Sequence, residues 1–462
     1  MATTQVAGRT AAAELATFCA QLRWEELDDA VRARTSELVL DLLGVALGGS
    51  RQPSSAPARE VALRLGGAHG GASIVGTQAQ TVAVWAALAN GTAAHAIEMD
   101  DVTTESSLHP GVAVIPAALA VAEEQGSAPA AFLQAIVAGY EVTMRVGNAL
   151  NPASVYARGF HPTGVAGVFG AAMAAGRILG LDPEQLTRAL GIAGTLASGS
   201  LEYLADGAWT KRLNPGWAAH AGITAAHLAQ AGFSGPATAI EGRLGVLHAY
   251  SDDPLPERLL DHLGAPLQVM RVSIKPYACC RYNHGLIDCV LALRREHSLR
   301  PDDIEHIRLG VLSGGALLVA EPISQKRAPH NVVDAQFSAP YAAAAALVLG
   351  SGGLTTYAEE HLGDSRIRDL MQRTDCYRSA SLDADYPRQW PAEVQLDLRD
   401  GRTLSKRIEF ATGEPENPVP RGALVEKFVS LAAWPDSQEL AERILAIERE
   451  PDLRGLGEAL RA

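Results

Sequence analysis

The period of the hydrophobic pattern changes once along this chain, near residue 267, and that change constrains the fold more than any other feature. Before it, Ala-rich runs carry apolar residues at helical spacing over Leu27–Leu47, Thr81–Ala96, Val112–Glu123, Phe132–Ala149, Gly164–Leu179, Leu186–Ala197 and Ala218–Ala231. Gly and Pro punctuate these runs at Gly66-Gly67, Pro110-Gly111, Asn151-Pro152, Gly180 and Gly232. Asp182-Pro183-Glu184 is a helix start, a cap followed by proline in the first turn. Helices this rich in Ala and Gly pack closely, so the stretch predicts an all-helical domain. After the change, LQVMRVSIKP (267–276) and DIEHIRLGVL (303–312) alternate like strands, and His284–Glu296 reads as a helix between them. AEVQLDLRDGRTLSKRIEF (392–410) predicts two strands joined by Asp400-Gly401, a pair preferred in type I′ hairpins. From Leu424 to Ala462 the pattern is helical again, with GEPENPVPRG (413–422) as a crossing linker. The expected fold is mostly α with a second α+β domain. Residues 1–269 and 413–462 form a large, discontinuous all-helical domain, and 270–412 a smaller α+β lid domain.

With 462 residues, 47% of them hydrophobic, the chain can bury two cores. Charged residues make up 20%, too many apolar groups remaining for disorder over most of the length. The net charge of −13 excludes nucleic acid and anionic membrane as partners, because both need a basic face. An acidic enzyme binds an anionic substrate only where Lys, Arg and His converge, and that requirement directs the search for a site. The five cysteines are Cys19, Cys279, Cys280, Cys289 and Cys376. An odd number in a long chain argues against a disulfide framework and for a reducing, cytoplasmic location. The N-terminal MATTQVAGRTAAAELATFCAQL contains Glu14 and no long apolar run. It reads as a disordered start leading into an amphipathic helix rather than as a signal peptide. No segment offers the roughly 20 uncharged apolar residues of a transmembrane helix.

Four stretches concentrate chemistry. NGTAAHAIEMDD (90–101), closing with His109-Pro110-Gly111, holds Glu98, Asp100 and Asp101 in four positions. Such clustering is costly unless the carboxylates face water, cap a helix or form a site. A metal reading on His95, Glu98, Asp101 and His109 matches no strong ligand spacing. In GFHPTG (159–164), His161 falls at a helix N-terminus, where the dipole disfavours imidazolium and attracts anions; it is either a proton-transfer group or a cap. Lys211 and Arg212, in a turn flanked by aromatics before a helix from Ala218, either clamp carboxylates or lie in solvent. Lys275, Arg281 and His284, in SIKPYACCRYNH (273–284), again concentrate positive charge, or form a solvated surface passage. Adjacent Cys279 and Cys280 with Cys289 do not match an iron–sulfur ligand set. Walker, dinucleotide-fingerprint and G-x-S-x-G motifs are absent.

Together and in this order, NGTAAHAIEMDD with HPG, GFHPTGVAGVFGAAMAAGRILGLD, TKRLNPGWAAHAG with GFSGP, IKPYACCRYNHGLID and DAQFSAPYAAAAAL resemble the MmgE/PrpD family. That family includes 2-methylcitrate dehydratase, cis-aconitate decarboxylase and iminodisuccinate epimerase. The resemblance implies a helical domain with an α+β lid, a homodimer, a small polycarboxylate substrate bound between the domains, and no metal or organic cofactor. Carried over motif by motif, it implies catalytic roles for Glu98, Asp101, His109, His161, Lys211, Lys275 and a lid tyrosine, Tyr341. Arg212, Arg281 and His284 are expected to bind substrate. In this scheme Lys211 and Lys275 clamp carboxylates, His109 and His161 exchange protons, and Glu98 or Asp101 orients a histidine or acts as base. The sequence departs from the family at Glu98, where Asp is usual, at Met99, Val102 and at Ala278 in place of a proline. The expected reaction is a 2-methylcitrate dehydratase-like dehydration. Decarboxylation or epimerisation on the same scaffold, an idle family member and a metallohydrolase on His95, Glu98 and His109 are the alternatives.

Overall fold

Each of the seven Ala-rich runs forms a helix in a computed structural model that describes residues 9–461. The helices are Asp29–Ser50, Ala83–Ala94, Gly111–Gln125, Pro129–Ala149, Pro162–Ile178, Pro183–Leu196 and Thr210–Gln230. The disordered start expected at the N-terminus falls on residues 1–8, outside the described residues. The helix after it is Ala11–Gln21, where Thr10 Oγ1 accepts from Ala13 N at 3.3 Å. At Asp182 the cap is reciprocal: its carboxylate accepts from Gln185 N at 2.8 Å while Gln185 Oε1 accepts from Asp182 N at 3.1 Å. None of the described helices is long and apolar enough to cross a membrane.

The chain divides into two units. The first comprises Met1–Ala96, Ser106–Arg271 and Arg421–Ala462; the second comprises Ile97–Glu105 and Val272–Pro420. Among the described residues the first is helical apart from a two-residue antiparallel pair, β1 (Ala72–Ser73) with β2 (Gln80–Thr81), and a single bridge between Phe160 and Ser200. Its centre is the helix Pro162–Ile178, buried at every position from Pro162 to Gly176 and packed on the helices Gly111–Gln125, Pro129–Ala149, Pro183–Leu196 and Thr210–Gln230. Glycine lets these axes approach. A methyl group on Gly139 would lie 2.9 Å from the Gly170 carbonyl oxygen, and one on Gly91 2.8 Å from the Cα of Gly216. The Ala and Gly bias is thus a packing requirement. The tail helix Arg421–Ala432 packs on Asp29–Ser50, where Lys427 Nζ meets Asp41 Oδ1 at 2.6 Å.

The second unit holds a four-stranded mixed sheet of order β4-β3-β5-β6. Its strands are β3 (Ile304–Val311), β4 (Thr374–Arg378), β5 (Ala392–Leu398) and β6 (Thr403–Ile408). Strand β4 runs parallel to β3, and the other pairs are antiparallel. Burial alternates residue by residue along β5, and the helix His284–Glu296 covers the sheet at β5 and β6. The fold is therefore a large helical part with a smaller α+β part.

Three expectations change. The stretch 267–276 is not a strand but a 3-10 turn, Gln268–Arg271, followed by a single bridge from Ser273 to Val102. Its amides go to separate partners: Gln268 N to Glu141 Oε2 (2.9 Å), Ser273 N to Val102 O (2.8 Å) and Ile274 N to Gly413 O (2.9 Å). No one strand can supply that set. The hairpin turn is not type I′, which needs positive φ at both central residues. Only Gly401 is left-handed (φ 88°), and Gly401 N bonds Leu398 O at 3.0 Å, a three-residue loop ending in a glycine bulge. The turn carrying Lys211 is helical, because the helix begins at Thr210 and holds Pro215 inside it.

Candidate functional site

Histidines cluster in the first unit because three helix ends meet there. His161 is the N-cap of Pro162–Ile178; Gly159 before it takes φ +80°, and His161 N donates to Gly199 O at 2.9 Å. His109 precedes the helix Gly111–Gln125, and its backbone N donates to Thr163 Oγ1 at 3.1 Å. His95 is the C-cap of Ala83–Ala94. Its ring lies 4.8 Å from that of His109 and 5.8 Å from that of His161. All three are buried. The N-termini beside His109 and His161 favour anions and neutral imidazole. Asn214 Nδ2 lies 3.2 Å from His161 Nδ1, so a donating carboxamide leaves Nε2 carrying the proton of the neutral ring.

Asn214 shares its turn with Lys211 and Arg212, in the first turns of Thr210–Gln230. Cations at a helix N-terminus oppose its dipole, an arrangement that suits a site for anions better than it suits helix stability. Arg212 Nη1 donates to Ser54 Oγ at 2.9 Å, and Lys211 is half-buried.

In the second unit Glu98 takes φ +56°, a left-handed conformation that costs a non-glycine residue about 1–3 kcal/mol and persists only where its surroundings hold it. Lys275 Nζ donates to the Glu98 carbonyl at 3.1 Å and lies 3.5 Å from Glu98 Oε2 and 3.9 Å from Asp100 Oδ1. The lysine is 1% exposed. Burial depresses its ammonium, but the charges of Asp100 and Glu98 outweigh burial and hold its pKa above the ordinary lysine value. Asp101 is buried close by in sequence.

The other expected site residues of this unit are engaged within it. Tyr341, on the helix Ala339–Leu349, donates its hydroxyl to Thr356 O at 3.0 Å, and burial pushes that hydroxyl up to about 12. Arg281 forms a buried ion pair with Glu414 and lies 5.6 Å from the centre of the Trp390 ring. Burial lowers its guanidinium to about 10. His284 opens the helix His284–Glu296, with Nε2 3.3 Å from Cys279 O. Of the metal reading's residues, His95 and His109 adjoin in the first unit, while Glu98 and Asp101 belong to the second.

The structure thus brings together His109 and His161 with His95, and Lys275 with Glu98 and Asp100. Sequence reasoning gave no role to Asn214 or Asp100, although both lie in motifs singled out above. A hydrogen bond across 53 residues has no signature in spacing.

Residues 13–259 match the MmgE/PrpD N-terminal domain, and 277–453 match the MmgE/PrpD C-terminal domain. A cis-aconitate decarboxylase-like protein of Aspergillus oryzae is 28% identical, over 96% of this chain and 96% of its own. The cis-aconitate decarboxylase of Aspergillus terreus is 27% identical over 97% and 95%, and that of Mus musculus 26% identical over 94% and 89%. With both domain models matched over most of its length, the chain belongs to the MmgE/PrpD family.

Proposed function

We propose that this protein is a lyase that moves protons on a small polycarboxylate, with decarboxylation of a cis-aconitate-like acid as the first reading. The relatives that span nearly its whole length carry that activity in their names, which puts carbon dioxide loss ahead of the dehydration expected from sequence. The observation that carries the reading is the buried group of His95, His109 and His161, two of which, His109 and His161, sit at helix N-termini that favour anions.

In this reaction the bond from carbon to one carboxylate breaks and carbon dioxide departs. Its electron pair passes into an enolate-like system beside a remaining carboxylate, and a general acid returns a proton to carbon. An imidazole that takes up a proton from solvent near neutral pH can hand it on as imidazolium, and we assign that transfer to His109 and His161. Lys211 and Lys275 are assigned to carboxylate binding and to stabilising the developing charge. Glu98 and Asp101 are the carboxylates assigned to orient or accept a proton.

Dehydration is the second reading, favoured by Glu98: a buried carboxylate on a strained turn is a base of the kind that α-proton removal needs. Incubation with cis-aconitate and with 2-methylcitrate in heavy water separates the two. Mass spectrometry distinguishes carbon dioxide loss from water loss, and deuterium marks the proton moved. His161→Ala is expected to lower turnover by roughly 10²–10⁴-fold. Failure to convert any such acid would end the proposal, and near-normal turnover in the variant would remove His161 from the mechanism. A second copy of the chain and a cytoplasmic setting remain part of the proposal, checked by light scattering and by fractionation.

A further inference from the structure

Glu98 sits on a strained turn, and something must hold that turn. Its own carbonyl is held by Lys275 Nζ at 3.1 Å. The preceding carbonyl, of Ile97, is met by the carboxamide of Gln336, whose Nε2 lies 3.4 Å from it. The same Nε2 donates to Ala278 O at 2.9 Å, three residues beyond Lys275. The backbone carbonyl of Gln336 then accepts from Cys280 N at 2.9 Å and from Asn283 Nδ2 at 3.2 Å. One residue therefore ties the segment carrying Glu98 to the segment carrying Lys275. All of these residues lie in the second unit.

The chemistry of the amide fixes its direction. Both partners of the side chain are carbonyl oxygens, so the amino group must face them. The Gln336 side chain is 2% exposed, and its Oε1 has no hydrogen-bond partner among the described residues. A buried polar atom left so is costly, and it persists here because turning the amide would set oxygen against two carbonyls. Space-filling alone would be met by methionine, which has nearly the same length and no such cost.

We propose that Gln336 is a positioning residue for Glu98 and Lys275, acting through its carboxamide donor. The inference rests on the reading of those two groups as parts of the reactive site, but its primary test does not use activity. In the wild-type chain with isotope-labelled glutamine, the Gln336 carboxamide protons should exchange with water at least about tenfold slower than those of an exposed glutamine. Exchange at the free rate would overturn the proposal. Hydrogen exchange read by mass spectrometry should show residues 97–105 losing about tenfold protection in Gln336→Met at any pH, and in Gln336→Glu at a pH high enough to ionise the buried carboxyl. In Gln336→Glu alone, protection should return as the pH falls, because a protonated carboxyl regains a donor. Protection unchanged in the methionine variant, or a glutamate variant with no pH dependence, would refute a donor role. If protection falls as expected while wild-type protein converts none of the proposed acids, the function fails and the positioning role stands.

Discussion

Replacing Lys275 by methionine separates the charge of this side chain from its volume. The variant keeps most of the packing and removes the ammonium that faces Glu98 and Asp100, which are 5% and 0% exposed. Breaking a buried ion pair by deleting one partner costs about 3–5 kcal/mol, mostly because the remaining charge stays buried. Loss of the Nζ bond to the Glu98 carbonyl adds to this, while relaxation of the left-handed turn returns up to about 1–3 kcal/mol. A net loss of about 3 kcal/mol is a large share of the roughly 5–15 kcal/mol that holds a typical domain. The pH dependence follows from the direction of the shift. Lys275 has a raised pKa in the folded chain, so its contribution is complete below the ordinary lysine value of about 10.4 and fades only above it. Near neutrality the wild type should show no pH dependence from this lysine. In the variant the buried carboxylates, left without the ammonium, take up protons as pH falls, so the deficit should shrink toward the acid end of the pH range. The assay is urea unfolding followed by fluorine NMR of fluorotryptophan-labelled protein. Trp390 is the only tryptophan of the second unit, so its resonance reports that unit alone. A wild-type midpoint for the Trp390 signal, or a deficit equal at both ends of the pH range, would refute the reasoning.

Asn214→Asp places a carboxylate opposite His161 Nδ1, which should favour the imidazolium; NMR titration and the acid limb of the activity profile should both move to higher pH, and an unmoved titration would exclude Asn214 as the partner. Burial pushes the Glu123 carboxyl up to about 7 from an ordinary 4.5, so the folded chain binds more protons than the unfolded one across that window. Its stability contribution is therefore present below the window and is lost as pH rises through it. Glu123→Gln should remove up to about 3 kcal/mol of that dependence, and a melting temperature that tracks pH identically in both proteins would contradict it. Gly413 takes φ +101°, and a side chain there would strike the Ile274 carbonyl next to Lys275. Gly413→Ala should destabilise by more than about 2 kcal/mol and speed exchange of the Ile274 amide, which donates to Gly413 O. Unchanged exchange at Ile274 would show that this crossing does not hold the segment.

Part of the candidate site's geometry was legible, where residues sit as local rules put them. His161 stands just before the apolar run Gly164–Leu179, so the sequence puts it at a helix N-terminus, where it is the N-cap. Lys275 was singled out as a cation in an acidic chain. Its role as the partner of Glu98 and Asp100 was not legible, because 175 residues separate Lys275 from Asp100. The left-handed conformation of Glu98 was not legible, because nothing in IEMDD marks a residue of positive φ that is neither glycine nor asparagine. Arg281 read as a candidate substrate ligand, yet Glu414 occupies it, and that glutamate lies in what looked like a plain linker.

By itself the sequence determined the elements whose hydrogen bonds close within a few residues. These are the Ala-rich helices, the capping box at Asp182, the helix His284–Glu296 and the alternating strands β5 and β6. In the helices and the capping box the donor and acceptor lie close along the chain. Strands β5 and β6 are joined by a short loop, although β5 also pairs with the distant β3. Composition and period therefore decide which elements form. Tertiary structure alone decided that 267–276 is shared among three partners, that Ile97–Glu105 joins the second unit, and that β4 lies parallel to β3. Those outcomes depend on which buried amides and charges remain unmet once the helices have packed. A buried polar group takes whatever partner the packing brings within reach, and no local pattern records which one that is.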